Sequence, residues 1–306
     1  MKLSYWLEFI LIKLFEYFFS IFPSRIVEWL GFKLGTFIWI FFPYRLNIAY
    51  NNLCIAFPEK SKEEKLSIIH NTYRHFGYMI ATYFIANRKY MKKKILDTNT
   101  KAEELFTEEL MNGKGIILSG LHFGLWETYI DYLNIKQFKF TGLYKPMKNK
   151  KTDRYFIDHR YKFGNNLRHV NIKNNSNSYE NELNENRILV IAVDQNAHKR
   201  GTEVKFLGKE TSIPKGVAVL HLRTNVPIYL GAYIIENMKY HLIVKKIKVG
   251  EYNEINEVSI NSIMSKVLKE YEEIVKTYPE QYLWFHKLWG KPKQKIKRTI
   301  REILTY

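Results

Sequence analysis

The chain of 306 residues carries 48 Lys and Arg against 30 Asp and Glu, a formal charge of +18, so it attracts polyanions: nucleic acid, an anionic membrane, phosphorylated lipid or an acidic carrier protein. With 46% hydrophobic and 16% aromatic residues it is too apolar for a disordered basic tail protein. A single cysteine, Cys54, excludes an intramolecular disulfide, asks for no oxidising compartment and reads as a small packed residue rather than a catalytic thiol.

The first segment, Leu3 to Pro23, is dominated by Leu, Ile, Phe, Tyr and Trp but holds Glu8, Lys13 and Glu16. On a helix these charges fall within about 140° of one another. Such a segment either lies in a membrane interface or spans with its charges turned to protein or headgroups; a buried soluble helix is the alternative. A cleaved signal peptide fits less well, because charges interrupt the run and no small-residue cleavage site follows. Ile26 to Phe42 is a second apolar stretch, broken only by Glu28, Lys33, Gly31 and Gly35. Residues 1–43 therefore read as a hydrophobic membrane-anchoring segment.

Beyond Pro43 the chain turns polar. Ser61 followed by Glu63 and Glu64 predicts a helix N-terminus, with a helix to about Phe84 that places Leu66, Ile69, Tyr73, Phe76 and Ile80 on one side. Strand-like runs at Gly115 to Ser119, Phe138 to Tyr144, Arg187 to Val193 and Val226 to Ile234 then alternate with helical patterns near Thr128 to Leu133, Thr152 to Phe163, Ser178 to Asn186 and Lys215 to Leu222. That alternation predicts an α/β fold, a largely parallel sheet flanked by helices. Tyr240 to Val249 adds a strand, Ile263 to Tyr278 a helix, and Asn171 to Asn177 reads as a loop. Residues 44–290 thus form the catalytic domain. In the basic amphipathic tail, 291–306, Ile296, Ile300, Ile303 and Leu304 recur at helical spacing amid Lys293, Lys295, Lys297, Arg298 and Arg301. This is the composition of a helix on an anionic membrane surface, or of one packed on the domain with a solvated basic face.

The strongest local signal runs from Lys114 to Glu127: an apolar strand ends in a glycine turn that presents His122, with Glu127 five positions on. Ligands of open α/β sheets bind beyond the carboxyl ends of the strands, where His122 falls. Five residues on one helix are about 140° apart, so the two cannot be helical-face neighbours. With His122 in the turn and Glu127 in the first helical turn, the carboxylate can reach Nδ1, leaving Nε2 to take a proton. On its own the pattern is more often that of a structural histidine capping the turn.

The same segment resembles the His-x-x-x-x-Asp/Glu motif of the lysophospholipid acyltransferase superfamily, and specifically the lipid A biosynthesis lauroyl/myristoyl acyltransferase family, in which glutamate takes the acidic place. Other blocks resemble that family in order: Arg45-Leu46-Asn47-Ile48 through Ala56-Phe57-Pro58-Glu59, His75-Phe76-Gly77, Leu143-Tyr144-Lys145-Pro146-Met147-Lys148-Asn149, Arg160 and Gly164, Val193-Asp194-Gln195-Asn196, Phe206-Leu207-Gly208, Ile213-Pro214 with Gly216, and Pro279-Glu280-Gln281-Tyr282-Leu283-Trp284-Phe285-His286. The likeness spans roughly residues 20–292. Lys145 stands where arginine is usual, keeping charge but losing bidentate geometry. Asn196 replaces a common aspartate, and Leu230 stands near a usual proline.

The resemblance implies a membrane-associated O-acyltransferase that moves a fatty acyl chain from acyl carrier protein or acyl-CoA to a hydroxyl of a lipid A precursor or related anionic glycolipid, at the cytoplasmic side of a bacterial inner membrane. His122 is then general base with Glu127 as its partner, and no cofactor or metal is required. Lys145, Arg160, Lys148 and Arg154 become phosphate-binding candidates, though a solvated basic face explains them as well. Asp194, at a strand end and grouped with these substrate-binding candidates, orients a site cation or loop or is a plain structural cap, and Trp284 and His286 read as local structure. A lysophospholipid or other glycolipid acyltransferase and a non-catalytic membrane adaptor are the alternatives. A nucleic-acid binder is disfavoured, since no zinc spacing, helix-turn-helix or aromatic RNA-binding signature is present.

Overall fold

The computed structural model describes residues 3–172, 176–292 and 295–305. Four helices come first: α1 (Leu3–Ile21), α2 (Ser24–Phe41), α3 (Leu46–Ala56) and α4 (Lys62–Phe84). α4 begins where the sequence places it. Ser61 Oγ accepts from the Glu64 N–H at 3.1 Å and the Glu64 carboxylate accepts from the Ser61 N–H at 2.7 Å, which satisfies two groups that a helix start leaves open. Leu66, Ile69, Tyr73 and Phe76 are buried as expected, whereas Ile80 is 42% exposed.

The N-terminal helices are packed onto this body. A Cβ on Gly35 would fall 2.2 Å from the Tyr73 carbonyl oxygen, and one on Gly77 2.3 Å from that of Gly31, so α2 crosses α4 at a distance that only glycine permits. Phe19, Val27 and Trp39 are buried there, while Trp29, Phe37 and Phe41 stay exposed. The corner after α1 is tied by Arg88, whose guanidinium donates to the carbonyls of Phe19, Ser20 and Phe22, at the end of a helix where carbonyls lack intrahelical partners. No single described helix is long and apolar enough to cross a membrane; α2 and α3 pass that test only together, bent by 100°.

After α5 (Lys89–Leu96) and α6 (Ala102–Met111) come β1 (Ile116–Gly120), α7 (Trp126–Ile135), β2 (Phe140–Tyr144), α8 (Lys150–Arg160), β3 (Leu167–Asn171), α9 (Ser176–Asn184) and β4 (Ile188–Ala192). A hairpin of β5 (Thr202–Phe206) and β6 (Lys209–Ile213) follows, then α10 (Gly216–Thr224), β7 (Ile228–Glu236), β8 (Lys239–Lys246), α11 (Glu257–Thr277) and α12 (Ile300–Leu304). The main sheet has the order β3-β2-β4-β1-β7-β8, parallel throughout except for β8 against β7. Side chains of β1 alternate between two apolar layers. Ile117 joins Ile263, Met264 and Val267 of α11 on one face, and Ile116 and Leu118 join Phe106, Tyr129 and Tyr132 of α6 and α7 on the other, the period-two pattern of a doubly covered sheet.

Several features depart from the sequence reading, among them the β5–β6 hairpin, for which no strand was expected. β3 was not expected, because Leu167-Arg168-His169-Val170-Asn171 is mixed in polarity; it lies at the sheet edge, where only one neighbour, β2, pairs with it. The predicted 171–177 loop is shorter, since Asn171 closes β3 and Ser176 opens α9, with residues 173–175 outside those described. α11 starts at Glu257, ahead of the expected Ile263, because the Asn256 side chain accepts from the N–H groups of Val258 and Ser259.

Candidate active site

His122 and Asp194 meet through strand register. Gly120 at the end of β1 sits opposite Ala192 at the end of the parallel strand β4, and each residue lies two positions beyond its strand end. The buried Asp194 carboxylate grips His122 twice: Oδ1 lies 2.8 Å from Nδ1, and Oδ2 accepts the His122 backbone N–H at 2.8 Å. A carboxylate can only accept, so Nδ1 carries the proton and Nε2 of the neutral ring is left as the base. The Gln195 amide nitrogen lies 3.4 Å from Nε2.

The loop that carries His122 is pinned from three sides. The Gly124 N–H donates to the Gln281 carbonyl at 2.8 Å, the Leu125 N–H to that of Tyr233 at 2.6 Å, and the Leu283 N–H to that of His122 at 3.1 Å. His75 of α4 contacts the Gly124 carbonyl at 3.0 Å through Nε2. Gly124 has φ +61°, and a Cβ there would lie 2.0 Å from the Tyr233 carbonyl oxygen, so the turn requires glycine.

Burial opposes the charged imidazole, yet Asp194, by charge and hydrogen bond, and Glu127 by charge hold the His122 pKa above its ordinary value. Burial likewise works against the Asp194 carboxylate, and His122 and then His286 outweigh it, keeping its pKa below the usual range.

The expected Glu127 bond to Nδ1 is not formed, because Asp194 occupies that nitrogen. Glu127, in the first turn of α7, instead receives two N–H groups of Arg160 at the end of α8: Nη2 to Oε1 at 2.7 Å and Nε to Oε2 at 3.1 Å. Burial would raise the Glu127 pKa, but Arg160 holds it low. Arg160 therefore faces a protein carboxylate with its fork rather than standing open to phosphate. One turn along α7, Asp131 pairs with Lys162 at 2.8 Å; burial pushes its pKa up to about 6 against the pull of that lysine.

Lys145 and Lys148 are exposed between β2 and α8. β2, β4 and β1 run parallel, so this segment leaves the sheet at the same edge as His122, with β4 between them. Arg154 is exposed and pairs with Asp158 at 2.9 Å. His286, expected to be merely local structure, sits with its ring centroid 5.2 Å from that of His122, and its buried Nε2 has no hydrogen-bond partner among the described residues. Burial first, then the nearby His122 and Arg45, lower the His286 pKa, against the pull of Asp194. Donor atoms of His122, Asp194 and His286 lie within 4.8 Å of one another. Trp284 is fully buried, and its Nε1 donates to the Pro279 carbonyl at 2.6 Å, a local role as expected. The role of Asp194 as the histidine's partner, and the nearness of Gln195 and His286, were missed. The available signal was Val193-Asp194 at the end of an apolar strand, a position that gains meaning only once β4 is known to lie beside β1.

The chain belongs to the bacterial lipid A biosynthesis acyltransferase family, whose profile matches residues 1–291. Among curated proteins it is similar to the lipid A biosynthesis palmitoleoyltransferase of Escherichia coli (strain K12), 22% identical over 276 residues that make up 87% of this chain and 85% of the relative. The lipid A biosynthesis acyltransferase of Shigella flexneri matches with the same identity and coverage.

Proposed function

We propose that the protein transfers a fatty acyl chain, lauroyl or myristoyl, from an acyl carrier protein or acyl-CoA thioester to a hydroxyl of a lipid A precursor or related anionic glycolipid. The observation that carries this reading is His122, its Nδ1 held by the buried Asp194 and its ring partly open to solvent beyond the carboxyl end of β1. Nε2 takes the acceptor hydroxyl's proton as the oxygen attacks the thioester carbonyl; the carbon–sulfur bond breaks, and the imidazolium returns the proton to the leaving thiolate. Asp194 stabilises the imidazolium, and no covalent enzyme intermediate is required. Glu127 is held by Arg160 and favours the charged form of His122 at a distance. Lys145 and Lys148, exposed on the same edge, are proposed to meet phosphate, with Arg154 further along α8.

The membrane reading is supported by the apolar residues that α1 and α2 leave exposed, including Leu7, Leu11, Leu14, Trp29 and Phe41. These suit helices lying in the interface of the inner membrane, with the catalytic edge on the cytoplasmic side. The +18 charge favours an acidic donor carrier and an anionic surface. Two measurements test the reading. Mass analysis of lipids from a strain lacking the protein should show one lipid A species short of one acyl group, and purified protein should restore it with acyl carrier protein or acyl-CoA. An unaltered lipid A profile with a changed phospholipid profile would reassign the acceptor to a lysophospholipid.

A further inference from the structure

Toward the β8 border of the sheet, away from Lys145 and Lys148, three elements close around a cleft of about 740 Å3: the start of α2 with Arg25, α5 with Tyr90, Lys93 and Lys94, and the β7–β8 turn with Met238 and Lys239. Its lining holds four cations and one carboxylate, Asp97. Lys94 is paired with the buried Glu28, which also accepts from the hydroxyls of Tyr78 and Tyr90 at 2.9 and 3.0 Å. That network fixes one wall. Arg25, Lys93 and Lys239 are exposed, and none of the three forms an ion pair among the described residues. Cations gathered from separate elements without counter-charges favour an anion between them.

The turn carries a second sign. Glu236 pairs with Lys239, so only Asn237 and Met238 connect the two strands, and both have positive φ, +49° and +61°. A two-residue turn of this kind favours glycine at its second position. Met238 holds a long apolar side chain there against the backbone preference, and is 43% exposed. The rim is apolar on the helix side too: Ile26 adjoins Arg25, and Trp29, one turn along the same face of α2, is exposed.

Register puts the turn on the catalytic edge. β7 is parallel to β1, with Gly231 opposite Gly120, so Asn237 and Met238 project from the same end of the sheet as His122. We propose that the cleft binds the phosphodiester headgroup of an anionic phospholipid, with Arg25, Lys93 and Lys239 around the phosphate and Met238 and Trp29 in the bilayer interface. The apolar rim selects a lipid over a free anion, which has no use for it. Tyr240 lines the cleft, and Tyr233, edge-on to it at 5.7 Å, lines the small cavity behind His122. Two buried rings therefore stand between this lipid and the reacting one. The site holds the catalytic edge against the bilayer and uses no residue of the His122 centre, so it stands apart from the acyl-transfer reading.

The test uses the full chain with two probes: vesicles of phosphatidylcholine alone or mixed equally with phosphatidylglycerol, and dihexanoyl phosphatidylglycerol below its micelle concentration. The triple variant Arg25→Gln, Lys93→Gln, Lys239→Gln should bind mixed vesicles about 100-fold more weakly, each cation near an anionic surface being worth about fivefold. It should also lose saturable binding of the short lipid. Lys205→Gln, Lys248→Gln and Lys269→Gln together remove the same charge from exposed positions elsewhere and should change neither. Met238→Gly relieves the turn, so it should raise the melting temperature while weakening binding to both kinds of vesicle, a pairing that a purely structural role does not give. His122→Ala should bind the short lipid as wild type does, whatever its activity. Equal losses in the two triple variants overturn the proposal in favour of diffuse charge. So does a raised acceptor KM in the Arg25, Lys93 and Lys239 variant at unchanged phosphatidylglycerol binding, which would give the cleft to the acceptor.

Discussion

Two acid–base pairs lie close together, and they are built for different work. His122–Asp194 joins a ring with part of its surface open to solvent to a carboxylate with none, 2.8 Å apart. Glu127–Arg160 joins two partly covered side chains through two N–H bonds. The first contains an imidazole whose pKa Asp194 holds above its ordinary value; the second contains two groups whose charges are locked by each other. A shiftable proton beside a fixed charge is the arrangement that general-base chemistry uses.

The sharpest way to break this contrast is to remove the ring. His122→Ala should lower kcat by about 10²- to 10⁴-fold, the span of general-base catalysis, with little change in thermal stability. A near-wild-type rate at matched expression would sink the mechanism.

Asp194→Asn comes next. It keeps the shape but removes the charge that raises the His122 pKa, so kcat should fall about 10²-fold and the acid limb of the pH–rate profile should move to lower pH. Stability gives an independent reading with its own sign. The folded His122 pKa lies above its ordinary 6.5, so its contribution is fully present below 6.5 and is lost as pH rises through the raised value. Asp194, shifted below its ordinary 3.8, contributes above that value, and the contribution is lost as pH falls through the lowered one. Wild type should therefore lose stability slightly on passing from pH 6 to alkaline pH, while Asp194→Asn should not. A parallel pH–stability curve in the variant would contradict the assignment.

Glu127→Ala should act mainly on the fold. A turnover effect larger than any stability loss is what a direct catalytic partner of His122 would give. With Glu127 on Arg160, the variant leaves a guanidinium without its counter-charge, which should cost about 3 kcal/mol, the low end for breaking a buried pair because both side chains keep some exposure. Arg160→Met added to Glu127→Ala should recover part of the loss in chemical denaturation. No recovery would mean that the two residues are not coupled.

The cap at Ser61, the alternating strands and helices, and the His122 turn were legible in the sequence because each is a local pattern with a local cause. The partner of Nδ1 was not, since it depends on β4 lying beside β1 in one register, a contact 72 positions away in the chain. The motif spacing pointed to Glu127, and the spacing was sound as far as it went: Glu127 does sit in the first turn of α7. What spacing cannot show is competition, and Asp194 holds His122 while Arg160 holds Glu127. The edge strand β3 escaped for a related reason, because an edge with one neighbour tolerates Arg168 and His169 where a central strand would not.

The smallest expected effect concerns the tail, where the same distinction between docked and free groups applies. Arg298 stacks 4.3 Å from the Trp39 ring centroid and donates to the Trp39 carbonyl at 2.8 Å. The Trp39 Nε1 donates to the Ile303 carbonyl at 3.2 Å, and the Ile296 N–H to Asn47 at 2.8 Å. These contacts tie residues 295–305 to α2 and α3, and the regular helix there is only Ile300–Leu304, shorter than the amphipathic spacing suggested; Lys293 lies outside the described residues. Yet Ile300 and Leu304 are 77% and 67% exposed, pointing away from the body. Deleting residues 291–306 would disturb both sets at once, so it should lower the melting temperature as well as binding to anionic vesicles. Ile300→Ser with Leu304→Ser separates them. Binding to anionic vesicles should weaken a few-fold, since each exposed aliphatic side chain contributes about 1.5 kcal/mol only when fully buried in the interface, while the melting temperature and activity on detergent-solubilised acceptor stay unchanged. Unaltered vesicle binding would assign the tail to the fold alone and leave attachment to α1 and α2.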